Sequence, residues 1–221
     1  VLSSTLNYAA ALIPEIGSNI LPIDDAMKLG YNWIYGPFEL IDQIGAKRVV
    51  ERMQKEGRDV APMLALSAQK EGFYKVINKQ LCSLDDRAEY VAIKRPSGVL
   101  RFSELRQTLT PKYSNAKASW FVHDNAAIVE FHSKANALDK DSMDVIRHAL
   151  EQAQVLKLRG VVLHNDAQHF SCGVNLTAFR GFFEAEDYAG MDHFLNHFQQ
   201  TMHAINRCTL PVIAAPAGMS I

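Results

Sequence analysis

Cysteine is scarce: the 221 residues hold three, Cys82, Cys172 and Cys208, far apart and without Cys-x-x-Cys spacing. That leaves no paired-cysteine framework and fits a reducing, cytoplasmic compartment. No apolar run approaches the roughly 20 residues that a membrane-crossing helix needs, and nothing reads as a signal peptide. Neither sign of charge prevails, since 23 Lys and Arg stand against 24 Asp and Glu for a net charge of -1. Bulk electrostatics therefore point to neither nucleic acid nor an anionic membrane surface. A glycine-rich GxGxxG loop and an HExxH pair are also missing. What is present, 48% hydrophobic and 9% aromatic residues, suits a globular chain with a real core, as one large or two modest domains.

The first part of the chain reads as helices broken by short turns. Leu2, Leu6, Ala9, Ala10, Ile13 and Ile16 recur at three- and four-residue spacing, which predicts an amphipathic helix from Val1 to about Ile20, kinked or broken at Pro14. A short helix is expected over 21–30 with Asp24 as N-cap and Gly30 as its stop, and another over 36–45 between Pro37 and Gly45. From Leu84 to about Ser119 the composition turns polar and broken, as a connector with a short helix near 102–106 and a solvated basic pair at Lys94 and Arg95.

Residues 23–45, Ile-Asp-Asp-Ala-Met-(x2)-Gly-(x5)-Gly-Pro-Phe-Glu-Leu-Ile-Asp-(x2)-Gly, together with Gly72-Phe73-Tyr74, resemble the C-terminal helical domain of 3-hydroxyacyl-CoA dehydrogenases. The resemblance covers roughly residues 1–80. It implies NAD as the parent enzyme's cofactor, held with the catalytic His–Glu pair by an upstream domain absent here. The helical domain would close over substrate and make a dimer contact, so a homo-oligomer is expected. Glu39 and Asp42 read as helix-surface or capping carboxylates, and Asn32 and Trp33 take no chemical role.

In the second part, Trp120 to Phe131 predicts two strands joined by a tight turn at Asp124-Asn125. Asp141 is expected to cap a helix whose apolar face is Met143, Ile146, Leu150 and Ala153. Val161-Val162-Leu163 then reads as a short buried strand, followed by Phe170-Ser171-Cys172-Gly173-Val174-Asn175-Leu176 in a loop opening a helix. Gly173 lets the backbone turn, and Val174 would expose a free N–H.

That heptapeptide resembles the Phe-Ser-Ala-Gly-Ala-Asp-Leu signature of the crotonase (enoyl-CoA hydratase/isomerase) superfamily, and Asn136-Ala137-Leu138 resembles the segment that touches CoA there. The resemblance implies that the Val174 N–H serves an oxyanion hole. Lys134, Ala135, Ala137, Phe170, Cys172, Gly173, Asn175, Leu176 and Thr177 would contact substrate, with coenzyme A as part of it. Asn175 stands where many members have Asp, and Val174 where Ala is usual, which leaves the ligand contact of Asn175 open. The family's second N–H donor and both acid/base glutamates would follow Ile221. The expected architecture is α+β: a helical dehydrogenase domain at 1–83, a connector at 84–117, and at 118–221 the first part of an α/β crotonase-type ββα spiral, cut before its glycine-rich segment, in an internal fragment.

The remaining candidates read blandly. His193, His197 and His203 lie on one helix, but without a third ligand they suit surface or packing roles better than a metal. His164 and His169 read as loop anchors, Cys172 as a small thiol, and Glu184, Glu186 and Asp187 as a solvated run. Two functions stay open: a fatty-acid β-oxidation enzyme joining 3-hydroxyacyl-CoA dehydrogenase to enoyl-CoA hydratase, or a non-catalytic acyl-CoA-binding or assembly module with a degenerate crotonase half.

Overall fold

The computed structural model describes residues 2–220; Val1, the expected start of the first helix, lies outside them. The chain is α+β and divides into two compact units, Val1–Leu100 and Arg101–Ile221. The expected connector, 84–117, is thereby shared out. Its first part pairs in a sheet of the first unit, and its second part begins the second unit with the fully buried Phe102. Among the described residues no helix is long and apolar enough to cross a membrane.

The first unit comprises α1 (Leu2–Ala11), α2 (Leu21–Tyr31), α3 (Pro37–Ile44), α4 (Ala46–Lys55), α5 (Pro62–Lys70) and three short strands, β1 (Tyr74–Ile77), β2 (Gln80–Leu84) and β3 (Tyr90–Ala92). The strands form an antiparallel meander in chain order. The helices meet in one core that includes Leu6, Ile20, Phe38, Ile41, Met53, Leu64 and Phe73, with the rings of Phe38 and Phe73 edge to face at 4.8 Å. α1 ends ahead of Pro14, whose ring and missing N–H cannot continue a helix.

The ends of α2 differ from expectation. Asn19 Oδ1 accepts the Leu21 N–H at 2.9 Å, and the helix closes on Asn32 in the left-handed region at φ 55°, two residues beyond Gly30. Asp24 caps a different helix. It is fully buried, and its two oxygens accept the Phe38 and Glu39 N–H groups, at 2.9 and 3.1 Å, in the first turn of α3. Gly36, the N-cap of α3, has no side chain to do this, and a Cβ there would stand 2.2 Å from Asp24 Oδ1. Gly36→Ala is expected to cost about 1–3 kcal/mol through forced displacement of that carboxylate, read as a lowered urea midpoint.

Two more polar ties differ in kind. Asp42 accepts the N–H groups of Phe73 (2.7 Å) and Tyr74 (2.7 Å), so it is a tether across the unit and not a helix-surface carboxylate. Arg95, expected in a solvated pair, is instead mostly buried and engages both oxygens of Asp25. Glu39 accepts from Gly36 N–H at 2.9 Å and from Lys28 at 2.5 Å, a capping role as expected.

The second unit is built on a sheet of order β4-β5-β6-β7-β9: β4 (Tyr113–Ser114), β5 (Ala118–His123), β6 (Ala126–Phe131), β7 (Val161–His164) and β9 (Val212–Ala215). β4, β5 and β6 are antiparallel, and β6, β7 and β9 are parallel. The β5–β6 hairpin turns at Asp124 and Asn125, both left-handed at φ 47° and 58°, as a two-residue loop matched to strand twist requires. Parallel neighbours need crossovers, supplied by α7 (Lys140–Val155) between β6 and β7, and by α8 (Leu176–Glu184) with α9 (Tyr188–Arg207) between β7 and β9. The N-cap of α7 is Asp139, not Asp141, because Asp139 faces the Ser142 N–H at 3.2 Å and Ser142 Oγ accepts in return from the Asp139 N–H.

α7 lays Met143, Ile146, Ala149, Leu150 and Ala153 against Trp120, Ala127, Val129 and Phe131, the residues on one face of β5 and β6. The opposite face carries Phe121 and Ile128 under Phe102 of the short helix α6 (Phe102–Leu105). A further parallel pair, β8 (His169–Ser171) with β10 (Met219–Ser220), was not expected from the sequence; it sits beside the loop of interest.

Candidate functional site

Two segments far apart in sequence are laced together at the carboxyl ends of β6 and β7. One is the tight turn 133–138 after β6, which holds Ala135 and Asn136 left-handed at φ 53° and 52°. The other is the loop 165–175 after β7. Asn165, almost fully buried, joins the two strand ends: its Oδ1 accepts the Phe131 N–H at 2.7 Å, and its Nδ2 donates to the Phe170 carbonyl at 2.5 Å.

Further bonds fix the loop to the turn. Cys172 N–H donates to the Ala135 carbonyl (3.2 Å), Asn136 Nδ2 to the His169 carbonyl (2.7 Å), and Ser171 Oγ to the Asn136 carbonyl (2.9 Å). Leu138 then engages the backbone on both sides of Val174. Its N–H donates to the Gly173 carbonyl at 2.8 Å, and its carbonyl accepts the Asn175 N–H at 2.7 Å.

The orientation of the Val174 N–H follows from these contacts. The peptide between Gly173 and Val174 is planar and trans, so its N–H points opposite to its carbonyl. With that carbonyl aimed at Leu138, the N–H faces away from Leu138. It has no hydrogen-bond partner among the described residues, although Val174 is bridged to Leu138 as if in a sheet. Gly173 makes the geometry possible at φ 81°, a left-handed conformation that costs glycine little.

Asn175 begins α8, its Oδ1 accepting the Thr177 N–H at 3.1 Å, so the free donor stands immediately before a helix N-terminus, where the helix dipole favours negative charge. Its carboxamide therefore works at least as a cap. Val174 and Leu176 are exposed residues, 41% and 75%, at the surface of this unit.

Of the residues singled out from sequence, Ala135, Ala137, Phe170, Cys172, Gly173, Val174 and Asn175 are brought together by this lacing. Lys134 is exposed at the start of the turn, and Leu176 and Thr177 are exposed in the first turn of α8. The structure adds Asn136, Leu138 and Ser171. Asn136 and Ser171 are buried polar residues, which the sequence offered only as members of the Asn136-Ala137-Leu138 and 170–176 motifs.

The other candidates take structural places. His164 Nδ1 lies 2.7 Å from the Ala215 carbonyl and anchors β7 to β9. His193 and His197 stack at 6.5 Å, and His197 Nε2 lies 2.9 Å from Asp144 Oδ1. Among the described residues no group of three or more His, Cys, Asp and Glu is placed to hold a metal ion. Asp187 of the acidic run caps α9 by accepting the Gly190 N–H at 2.8 Å.

Residues 1–79 match the family described as 3-hydroxyacyl-CoA dehydrogenase, C-terminal domain. Over 224 aligned residues, covering 100% of the chain and 28% of the relative, the sequence is 34% identical to a Bacillus subtilis protein described as a probable 3-hydroxyacyl-CoA dehydrogenase. It is 24% identical, over 97% of the chain and 27% of the relative, to a Rickettsia prowazekii protein described as a fatty acid oxidation complex trifunctional enzyme. The chain thus spans little more than a quarter of these curated relatives.

Solved structures similar to part of the chain include an enoyl-CoA hydratase from Polaromonas, with 21% identity, 46% of this chain, 40% of that one and a TM-score of 0.43. Another is an enoyl-CoA hydratase/isomerase from Xanthobacter autotrophicus, with 22% identity, 48% of this chain, 40% of that one and a TM-score of 0.40. These likenesses are too weak to assign the second unit. Residues 1–79, within the first unit, are thus similar to the C-terminal domain of 3-hydroxyacyl-CoA dehydrogenases, and a second, α/β unit follows them in the sequence.

Proposed function

We propose that the chain is a segment of a fatty-acid β-oxidation enzyme. Its first unit serves an NAD-dependent 3-hydroxyacyl-CoA dehydrogenase whose NAD-binding part lies in other polypeptide. Its second unit opens a crotonase-type enoyl-CoA hydratase acting on acyl-CoA thioesters. The observation that carries the hydratase reading is the Val174 N–H, left without a partner among the described residues while the groups on either side of it are pinned.

Hydration adds a hydroxyl to the β-carbon and a proton to the α-carbon of the enoyl thioester. As the oxygen attacks, negative charge builds on the thioester carbonyl oxygen. A fixed N–H aimed at that oxygen stabilises the charge without having to reorient during the reaction. Asn175 adds the positive end of α8 to the same place by capping that helix. A second donor and the carboxylates that move the protons belong, on this reading, to polypeptide outside these residues.

The test is hydration of crotonyl-CoA by a polypeptide of the relatives' length that carries this chain. Turnover supports the reading. Binding of crotonyl-CoA without turnover supports instead a non-catalytic acyl-CoA-binding module.

A further inference from the structure

We infer that Ser171 is a positioning residue for the Val174 N–H, an inference that rests on the oxyanion role proposed above. Ser171 is 5% exposed, and its hydroxyl is used on both sides: Oγ donates to the Asn136 carbonyl at 2.9 Å and accepts the Gly173 N–H at 3.1 Å.

The residue so held is the one the donor depends on. Gly173 has no Cβ, and its φ of 81° is one of several conformations open to glycine. Rotation about Gly173 swings the peptide plane that carries the Val174 N–H. Two ties oppose that rotation: Leu138 grips the carbonyl on the far side of Gly173, and Ser171 grips the N–H on the near side.

The same hydroxyl keeps the Gly173 N–H from serving as a competing donor and fastens the loop to the 133–138 turn, where Leu138 resides. Asn136 completes the arrangement. Its left-handed backbone presents its carbonyl to Ser171 while its side chain bonds the His169 carbonyl. Ser171 touches no substrate in this scheme and acts only through the direction of its neighbour's amide.

Ser171→Ala, in the polypeptide of the relatives' length, is expected to lower kcat for crotonyl-CoA about tenfold, the rate equivalent of one lost hydrogen bond, with KM little changed. The decisive readout is a double-mutant cycle against an ester in place of the Val174 amide, which removes the N–H donor and keeps the Gly173 carbonyl as a weaker acceptor for Leu138. If Ser171 acts through that N–H, Ser171→Ala costs nothing further in the ester background; independent, multiplicative losses would overturn the inference.

A measurement without substrate separates this inference from the hydratase reading. Amide exchange at Leu138 and Asn175 is expected to quicken in Ser171→Ala, while exchange at Val129 and Val161 in the sheet stays unchanged. Unaltered exchange at Leu138 and Asn175 would overturn the positioning role. Absence of turnover in the unsubstituted enzyme would instead overturn the hydratase reading, and the exchange result would still decide the role of Ser171.

Discussion

Replacing the Val174 amide by an ester is expected to lower kcat for crotonyl-CoA hydration by about 100- to 1000-fold, close to 3–4 kcal/mol of transition-state stabilisation. The ester keeps the side chain and the chain direction and puts an oxygen in place of the N–H. That hydrogen has no partner among the described residues, so its loss breaks no hydrogen bond of the fold, while the Gly173 carbonyl, now an ester carbonyl, holds the Leu138 N–H more weakly. The unfolding free energy is therefore expected to fall by about 1 kcal/mol or less, the share of one weakened hydrogen bond, while the rate falls far more.

KM is expected to change little, since the charge that the N–H meets is far larger in the transition state than in the bound thioester. Val174→Ala supplies the control. The donor is backbone, the residue is exposed, and activity within a few-fold of the parent is expected. A normal kcat in the ester variant would remove the amide from the mechanism, whatever else the loop does.

How far this donor was legible in the sequence depends on where its constraints come from. A glycine followed by a residue with an N–H, just past a short β-branched strand and just before a helix, is a local pattern, and Gly173 and Val174 could be named from it. The aim of the N–H is not local. It is set by Leu138, about 35 residues earlier, through backbone atoms whose behaviour no side-chain identity announces, and by Ser171 and Asn136, whose hydroxyl and amide face inward. Sequence reading quoted Asn136, Leu138 and Ser171 within the two motifs but assigned substrate contacts to their neighbours, Ala135 and Ala137, Phe170 and Cys172.

The fold shows the same division. The hairpin at Asp124-Asn125 was readable because a two-residue turn demands left-handed backbone, which Asp and Asn tolerate. α3 was readable from Pro37 and Gly45, whose backbone constraints are intrinsic. β3, β8 and β10 were not, since runs of two or three residues carry no periodicity and exist only through their partners. Caps failed where two acidic residues competed: Asp139 precedes α7 and Asp141 lies in its first turn, and the reciprocal bond with Ser142 decides for Asp139.

Asp24 was misplaced for a different reason, and it yields the largest stability effect expected in the first unit. Its oxygens accept two N–H groups from the first turn of α3 and the Tyr74 hydroxyl at 2.6 Å, all inside a fully buried site. Asp24→Ala strands these three donors without water and is expected to cost about 3–5 kcal/mol. With Trp120→Phe as background, Trp33 is the remaining tryptophan and reports unfolding of the first unit by fluorescence. A loss under about 1 kcal/mol would show that the donors find other partners.

The carboxyl also makes stability depend on pH in a sense opposite to that of an ordinary paired carboxylate. Burial pushes Asp24 up from 3.8 to about 7, against the opposing pull of the Tyr74 hydroxyl and the Phe38 and Glu39 amides. A group that holds its proton more tightly when folded stabilises the fold fully below its unfolded value, and this contribution is lost as pH rises through the folded value. Stability from Asp24 is therefore expected to fall between about pH 4 and pH 7 and then level off, by up to about 4 kcal/mol at 1.36 kcal/mol per pH unit. Asp42, raised to about 6 chiefly by burial, adds loss in the same direction over about pH 4 to 6. Asp24→Asn cannot titrate, so subtracting its unfolding free energy from that of the parent at pH 5 and pH 8 isolates the Asp24 contribution from every other carboxylate. That difference is expected to favour the parent more at pH 5 than at pH 8; an equal difference at the two pH values would mean that the three donors hold the buried carboxylate charged throughout this range.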